Sequence, residues 1–248
     1  MNERRVLVTG GSRGIGAAIV RRLVADGHAV CFTWRQDDGA ATALRDELRA
    51  AGGTVHAIQG DVAEPAFAPR CFDAAEAHFG APVTALVNNA GITGRHGPFA
   101  DLALDVMRRT LDVNVLGTMT FSQIAVRRWL ASGIRGSIVN LSSAAATLGS
   151  AGEYVHYAAS KAAIDTFTIG LGREVAGNGI RVNAVAPGTV YTDIHAAGGA
   201  PDRPARVVER VPLKRIGEPP EIAAAVAWLL SDDASYVTAT VLRVAGGL

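Results

Sequence analysis

Short, almost wholly apolar runs alternate along the chain with longer stretches in which apolar residues recur every three or four positions. Val6-Leu7-Val8, Ala29–Trp34, Val55–Gln59, Val83–Val87, Ser137–Leu141, Arg181–Val185 and Thr240–Val244 read as strands. Gly14–Ala25, with Ile15, Ile19, Val20 and Leu23 toward one side, reads as a helix. So do Ala40–Ala51, Ala66–Phe79, Leu104–Leu130, Tyr154–Ala176 and Glu221–Leu230. Gly52-Gly53 and Gly80 stand where helices stop.

Strands alternating with helices predict βαβ units. Runs this apolar suit strands covered on both faces. The expected fold is therefore α/β: a single-domain Rossmann fold over residues 1–248, with a doubly wound seven-stranded parallel sheet and helices on both faces. No linker, composition shift or repeat interrupts it. The least regular stretch, Pro187–Pro220, is rich in Gly, Pro and Ala and reads as a mobile insertion, with a substrate-binding lid at about 189–217.

Composition adds exclusions. Hydrophobic residues make up 49% of the 248 positions and charged residues 19%, ample for a large core. The net charge of +1 argues against nucleic acid or an anionic membrane surface as partner. No apolar run reaches the ~20 residues of a membrane span. Cys31 and Cys71 show no metal-ligand spacing, so a disulfide scaffold is not expected and a reducing cytoplasm fits. Met1-Asn2-Glu3-Arg4-Arg5 leads straight into the first strand, without a signal peptide's apolar stretch. None of the six histidines stands in metal-ligand spacing, and no catalytic metal is expected.

The candidate chemistry falls at predicted strand ends. Gly10, Ser12, Arg13, Gly14, Ile15 and Gly16 form a glycine-rich turn between the first strand and the first helix. Glycines let the backbone approach a ligand, and a helix N-terminus favours phosphate. The spacing G-x-x-x-G-x-G differs from the commonest dinucleotide fingerprint, and an ordinary tight βα turn would look alike. Asp61 follows the third strand and Asn88-Asn89-Ala90-Gly91 the fourth, at the carboxyl ends where ligands bind open α/β sheets. The second strand ends Thr33-Trp34-Arg35, without the carboxylate that holds the ribose 2′-OH of NAD. Arg13 and Arg35 could instead flank the 2′-phosphate of NADP, or be solvated arginines. NADP is the expected cofactor, with NAD possible.

Tyr157-Ala158-Ala159-Ser160-Lys161 places phenol and ammonium on one helix face. A tyrosine exchanging protons near neutrality needs about 3–4 kcal/mol of differential stabilisation of its phenolate, part of which a nearby lysine supplies. A surface pair without function has the same spacing. Ser142-Ser143 ends the fifth strand, where a hydroxyl could bond a substrate carbonyl and developing alkoxide. Asn114, between two valines inside a predicted helix, reads as a specific hydrogen-bonding or a structural amide.

In this order the pieces resemble the short-chain dehydrogenase/reductase family, over Arg5 to Gly247: Thr9-Gly10-x-x-x-Gly14-x-Gly16, Asp61, Asn88-Asn89-Ala90-Gly91, Asn114, Ser143, Tyr157-x-x-x-Lys161 and Pro187-Gly188. Within the family it resembles the NADP-preferring branch that includes 3-oxoacyl carrier-protein reductases and sugar dehydrogenases. The resemblance implies Tyr157 as general acid/base, Lys161 lowering its pKa and binding the nicotinamide ribose, and Ser143 polarising the carbonyl. It implies Asn114 holding a water in a proton relay with Lys161. Asp61 and Val62 would contact adenine. Asn88, Ala90 and Gly91 would line the cofactor cleft, and Pro187, Gly188 and Thr192 would clasp the nicotinamide half. A cytoplasmic homotetramer paired through the two long helices and the C-terminal strand is implied too. The spacer between Ser143 and Tyr157 is one residue longer than the family's common form, and Ala239 and Ala245 stand where Gly and Asp are usual. The expected activity is NADP-dependent hydride transfer between nicotinamide and a small carbonyl or alcohol substrate. An NAD(P)-dependent sugar dehydrogenase is the alternative, and a non-catalytic dinucleotide-binding regulator a third reading. Tyr154, His156 and His195 could touch substrate. The basic residues Arg203, Arg206, Arg210, Lys214 and Arg215 could greet an acidic one or be solvated charge.

Overall fold

The computed structural model describes residues 4–248. Met1-Asn2-Glu3, part of the stretch read above for a signal peptide, lies outside the described residues. Seven strands form one parallel sheet: β1 (Arg5–Val8), β2 (Ala29–Trp34), β3 (Val55–Gln59), β4 (Ala85–Asn88), β5 (Ser137–Leu141), β6 (Arg181–Pro187) and β7 (Val241–Val244). Their order is β3-β2-β1-β4-β5-β6-β7, so the chain reverses direction across the sheet between β1 and β4. The crevice outside their carboxyl ends is where open α/β sheets take ligands.

Three strands and the first helix match the hydrophobic pattern residue for residue. The first helix, α1 (Gly14–Ala25), buries Ile19, Val20 and Leu23 against the sheet. On that face it packs with α2 (Asp38–Ala50) and, past the later helices, α10 (Pro219–Leu230) around Val6, Val8, Val87 and Val139. On the other face α3 (Phe67–Phe79) and α5 (Thr118–Ser132), which α4 (Leu104–Leu111) separates in the chain, contribute to a core with Phe72, Phe121 and Trp129. Continuous burial on both faces explains why the five inner strands carry no alternation, while the edge strands β3 and β7 are only partly buried. Cys31 and Cys71 are free thiols buried in this second core.

Four differences from the sequence reading have physical causes. The expected single helix over 104–130 is two helices joined by a wider π-helical turn at Asp112–Gly117, because Asn114 there bonds a neighbouring loop rather than solvent. The last long helix begins at Pro219, not Glu221. Prolines fit the first helical turn, where no N–H is needed, and Glu218 and Glu221 close a reciprocal capping box. The short helices α6 (Ala145–Leu148), α8 (Ile194–Ala197) and α9 (Arg203–Val207) went unread, being too short to show a period. Between α6 and α8 runs the long α7 (Val155–Val175). The fourth strand begins at Ala85 rather than Val83 and ends by pairing Asn88 with Asn140.

Among the described residues, no helix is long and apolar enough to cross a membrane, and no cluster of three His, Cys, Asp or Glu is gathered to hold a metal.

Candidate active site

A cleft of about 510 Å³ opens at the carboxyl ends of β1, β4, β5 and β6. Its floor is the glycine turn. Gly10 and Gly14 have φ of +65° and +53°, in the left-handed region that side chains resist. A Cβ on Gly16 would stand 2.1 Å from the Gly10 carbonyl oxygen, so a side chain there displaces the turn. Asn89 braces it, its Nδ2 donating to the carbonyls of Thr9 (3.0 Å) and Gly10 (2.8 Å). Ser12, Arg13 and Ile15 line the cleft beside it, and Thr192 reaches over from the far wall to pack against Gly14.

At one end the cleft is polar. Arg13, at the N-cap of α1, and Arg35, just past β2, line it together with Asp61 and Val62. Asp61 accepts from the Ala63 amide (3.0 Å) and from Arg109 (2.5 Å), with Arg35 at 3.4 Å. Burial opposes its ionisation, but the amide and the two guanidinium groups hold the carboxyl below its usual range. Arg109 was not singled out in the sequence. It sits on α4 beside Arg108, and only folding brings it to Asp61. Asp37 also lines this end, yet its carboxylate is engaged in capping α2, accepting from the Ala40 amide at 2.9 Å.

Ala90 and Gly91 line the middle of the cleft, but the expectation for Asn88 is corrected. Strand alternation turns Asn88 inward. It is 3% exposed and its Nδ2 donates to Ser122 (3.0 Å) and Asn140 (2.9 Å), while Asn89 takes the cleft face. Asn114 is fully buried: its Oδ1 accepts from the Ile92 amide (2.9 Å), and its Nδ2 donates to the Ile92 carbonyl (2.9 Å) and to Ser160 (3.0 Å). Both side-chain N–H donors are thereby spent, leaving only lone pairs for a water. A Cβ on Gly91 would lie 3.3 Å from Asn114 Oδ1 and 3.4 Å from Lys161 Nζ, so glycine keeps that space open.

Tyr157 and Lys161 stand one turn apart on α7, both nearly buried. Lys161 Nζ donates to the Leu141 carbonyl (2.7 Å) and lies 5.7 Å from the centre of the Tyr157 ring. Burial pulls the ammonium down to about 8, opposed by the Asp165 carboxylate a turn further on. Burial pushes the Tyr157 phenol up to about 12, against a hydrogen bond with Ser143 that favours the phenolate. The two serines separate cleanly. Ser143 faces Tyr157 and its Oγ accepts from the Ala145 amide (3.1 Å), whereas Ser142 turns to α7 and donates to the Lys161 carbonyl (3.3 Å). Between Ser143 and Tyr157 the chain runs through α6 and the turns after it before α7 begins at Val155.

Pro187 and Gly188 end β6 at the cleft, anchored by the Ala144 amide donating to the Pro187 carbonyl (2.8 Å) and the Gly188 amide to that of Val244 (3.0 Å). From there residues 189–217 cross the opening. Their ends are pinned together where Val190 bridges Gly217, with the Tyr191 and Gly217 amides donating to the Gly217 and Thr189 carbonyls, each at 3.0 Å. On this segment His195 and Arg203 line the cleft, as does Tyr154 across from them, but His156 turns away toward Gly94. Arg203 pairs with Glu153 (2.9 Å), and its guanidinium stacks 5.0 Å over the Tyr154 ring.

Residues 10–248 match the family model described as Enoyl-(Acyl carrier protein) reductase. The uncharacterized oxidoreductase YgfF of Escherichia coli K12 is 45% identical over 97% of this chain and 98% of its own. The 3beta-hydroxysteroid dehydrogenase 1 of Eggerthella lenta is 39% identical over 100% and 94%. Among solved structures, a blue fluorescent protein from a metagenomic library, in complex with NADPH, superposes with a TM-score of 0.89 at 39% identity, over 99% of this chain and 98% of that one. With these likenesses running nearly end to end over a sheet and cleft of this form, the chain belongs to the short-chain dehydrogenase/reductase family, oxidoreductases acting on CH–OH and C=O groups.

Proposed function

We propose that this protein is an NADP-dependent oxidoreductase with Tyr157 as general acid/base, acting on a small carbonyl or alcohol substrate. The observation that carries the reading is the buried Tyr157 hydroxyl, joined to Ser143 and one helical turn from Lys161, at the inner end of a cleft floored by glycines. The donor set fits a dinucleotide. Free amides at the start of α1, with glycines no Cβ could replace at Gly10 and Gly16, suit a pyrophosphate. Arg13 and Arg35 suit a 2′-phosphate. Of the carboxylates at this end, Asp37 is committed to its helix cap and Asp61 to Arg109 and the Ala63 amide, which leaves neither free for a ribose. Asp61 and Val62 would flank the adenine, Ala90 and Gly91 the middle, and Pro187, Gly188 and Thr192 the nicotinamide. NADPH in the superposed metagenomic protein supports this choice.

When bound, the nicotinamide supplies or accepts the hydride at the substrate carbon. The chain's own residues handle the oxygen and its proton. Ser143 donates a hydrogen bond to the substrate oxygen, strengthening as negative charge develops there. Tyr157 gives its proton to that oxygen during reduction and takes it during oxidation. Burial raises the phenol instead of lowering it as the resemblance implies, which suits the proton donor of the reduction; the lowering that oxidation needs would fall to Lys161 and the positive charge of an oxidised nicotinamide. Lys161 holds a positive charge on the same helix face, and Asn114 fixes the loop at Ile92 that faces it.

The rest of the proposal is organisation: one domain with residues 189–217 as the lid, a homotetramer, and a cytoplasmic location consistent with two free buried thiols. Exposed Leu116 beside α5 and the fully exposed Tyr236 ahead of β7 support subunit contacts along those elements, which light scattering would test. For the activity, NADPH oxidation is followed against ketones, diketones, quinones, aldoses and β-ketoacyl thioesters, with Tyr157→Phe as control. Turnover that disappears in the variant is expected. Equal turnover in the variant would refute the role of Tyr157.

A further inference from the structure

The lid carries a buried polar side chain with no hydrogen-bond partner among the described residues. His195, on α8, is 7% exposed and lines the cleft, yet neither ring nitrogen makes a hydrogen bond. The Val190 backbone lies near enough to favour the protonated ring, but not in a geometry that bonds it. Buried polar atoms almost always find a partner in the protein, in water or in a ligand. Both nitrogens are shielded as the lid lies, and for a ring that borders the cleft the partner left to them is a group entering there.

The charges around it decide what that partner can be. Arg203, the cation facing His195, is neutralised by Glu153 at 2.9 Å, and its Nη1 also donates to Thr189 (3.3 Å). The lid cations Arg206, Lys214 and Arg215 are matched by Asp202, Glu209 and Glu221, and Arg210, which has no such match among the described residues, is exposed and does not line the cleft. These pairs give a carboxylate, a phosphate or a carrier-bound acyl chain little to bind here. Burial and Arg203 keep His195 neutral, with Glu153 opposing. A neutral imidazole offers one donor and one acceptor, the complement of a hydroxyl group.

Position completes the argument. Tyr154 packs edge-on against Tyr157, centroids 5.2 Å apart, and His96 packs edge-on against Tyr154 at 4.4 Å. The Gly198 carbonyl, three residues past His195, accepts from the His96 amide at 2.9 Å. His195 thus borders the cleft beyond Tyr154, away from the reacting oxygen, while Ala145, Leu148, Val190 and Ile194 give the walls an apolar lining.

We infer that His195 is a specificity-determining residue that hydrogen-bonds a second, uncharged oxygen of the substrate, so that the preferred substrates are neutral polyoxygenated carbonyl compounds or their alcohols. The inference rests on the oxidoreductase reading above and assigns the far end of the same site.

Two measurements test it. In the first, kcat/KM for NADPH-dependent reduction is measured on aldoses, hydroxyketones and diketones, on plain ketones of matched carbon number, and on 2-oxo acids and acyl thioesters. The wild type should favour the oxygenated neutral compounds over plain ketones by about tenfold, the worth of one buried hydrogen bond. That ratio should collapse in His195→Phe and largely return in His195→Gln, which restores a neutral donor and acceptor. A preference for the acids or thioesters, or an unchanged ratio in His195→Phe, overturns the assignment and leaves the oxidoreductase reading intact. The second measurement needs no turnover. The imidazole ¹⁵N resonances of His195 are followed in NADPH-loaded protein as 1,2- or 1,4-cyclohexanediol is added, with cyclohexanol as reference. A shift with a diol and none with cyclohexanol supports the assignment, and no shift with either diol refutes it, even if no carbonyl in the panel is reduced.

Discussion

Lys161→Met should make the protein more stable while removing its activity. The lysine is 5% exposed, and burial lowers its ammonium from 10.5 to about 8. That difference corresponds to about 3 kcal/mol by which folding disfavours the charged side chain. Methionine has similar length and no charge to desolvate. It leaves the Leu141 carbonyl without its 2.7 Å donor, which costs about 1–2 kcal/mol. The net gain is about 1–2 kcal/mol near pH 7, a rise in Tm of about 3–6 °C for a chain of this length. The pH dependence carries the sharper sign. Below about pH 8 the lysine is charged both folded and unfolded, so the gap between variant and wild type is constant. Above it the folded lysine is neutral while the unfolded one still binds its proton, so wild-type stability climbs with pH until about 10.5 and the gap closes. Thermal unfolding of both cofactor-free proteins from pH 6 to 10 measures this, other titrations cancelling in the difference. A lower Tm for the variant at pH 7, or a gap that widens above pH 8, would refute the reasoning. NADPH-dependent turnover in the variant should fall by about 10²-fold or more.

Ala239 has φ of +57°, and its backbone abuts Gly172. Ala239→Gly should relieve about 1–2 kcal/mol of left-handed strain, less about 0.4–1 kcal/mol of added unfolded-chain entropy, so calorimetry should show a modest gain, and a loss would show that the strain is absent. Gly16→Ala should destabilise the fold by about 1–3 kcal/mol and abolish NADPH binding, because its methyl meets the Gly10 carbonyl; an unchanged Tm in scanning fluorimetry would contradict this. Arg13→Ala and Arg35→Ala should each weaken NADPH binding about tenfold while leaving NADH within about twofold, as read by nucleotide fluorescence titration. Equal losses for both nucleotides would remove the 2′-phosphate from their role.

Much of this molecule is legible along the chain because its signals are local. An apolar run such as Val6-Leu7-Val8 and a helix stripe such as Ile15, Ile19 and Leu23 follow from periods of two and 3.6 residues. The glycine turn and the Tyr157/Lys161 pair follow from what one backbone turn or one helical turn brings together. These elements carry the α/β class and the parallel sheet, and they put the glycine turn and the Tyr157/Lys161 pair at strand and helix ends that line the cleft. What the chain could not show were partners chosen across distance. The resemblance puts Asn88 at the cofactor cleft, but its contacts with Ser122 and Asn140 come from two other elements. Arg109 is one of many surface-like arginines until α4 is laid beside Asp61. Ser142 and Ser143 are adjacent and chemically identical, and only the direction in which β5 exits decides which one meets Tyr157. Desolvation was equally hidden, since the shifts of Tyr157 and Lys161 depend on the whole surrounding core. The sequence by itself determined the repeating βα order and the chemical groups available at strand ends, because periodicity and turn chemistry act between near neighbours. The tertiary structure alone decided which of those groups are buried, charged and paired, because burial and long-range contact belong to the packed fold.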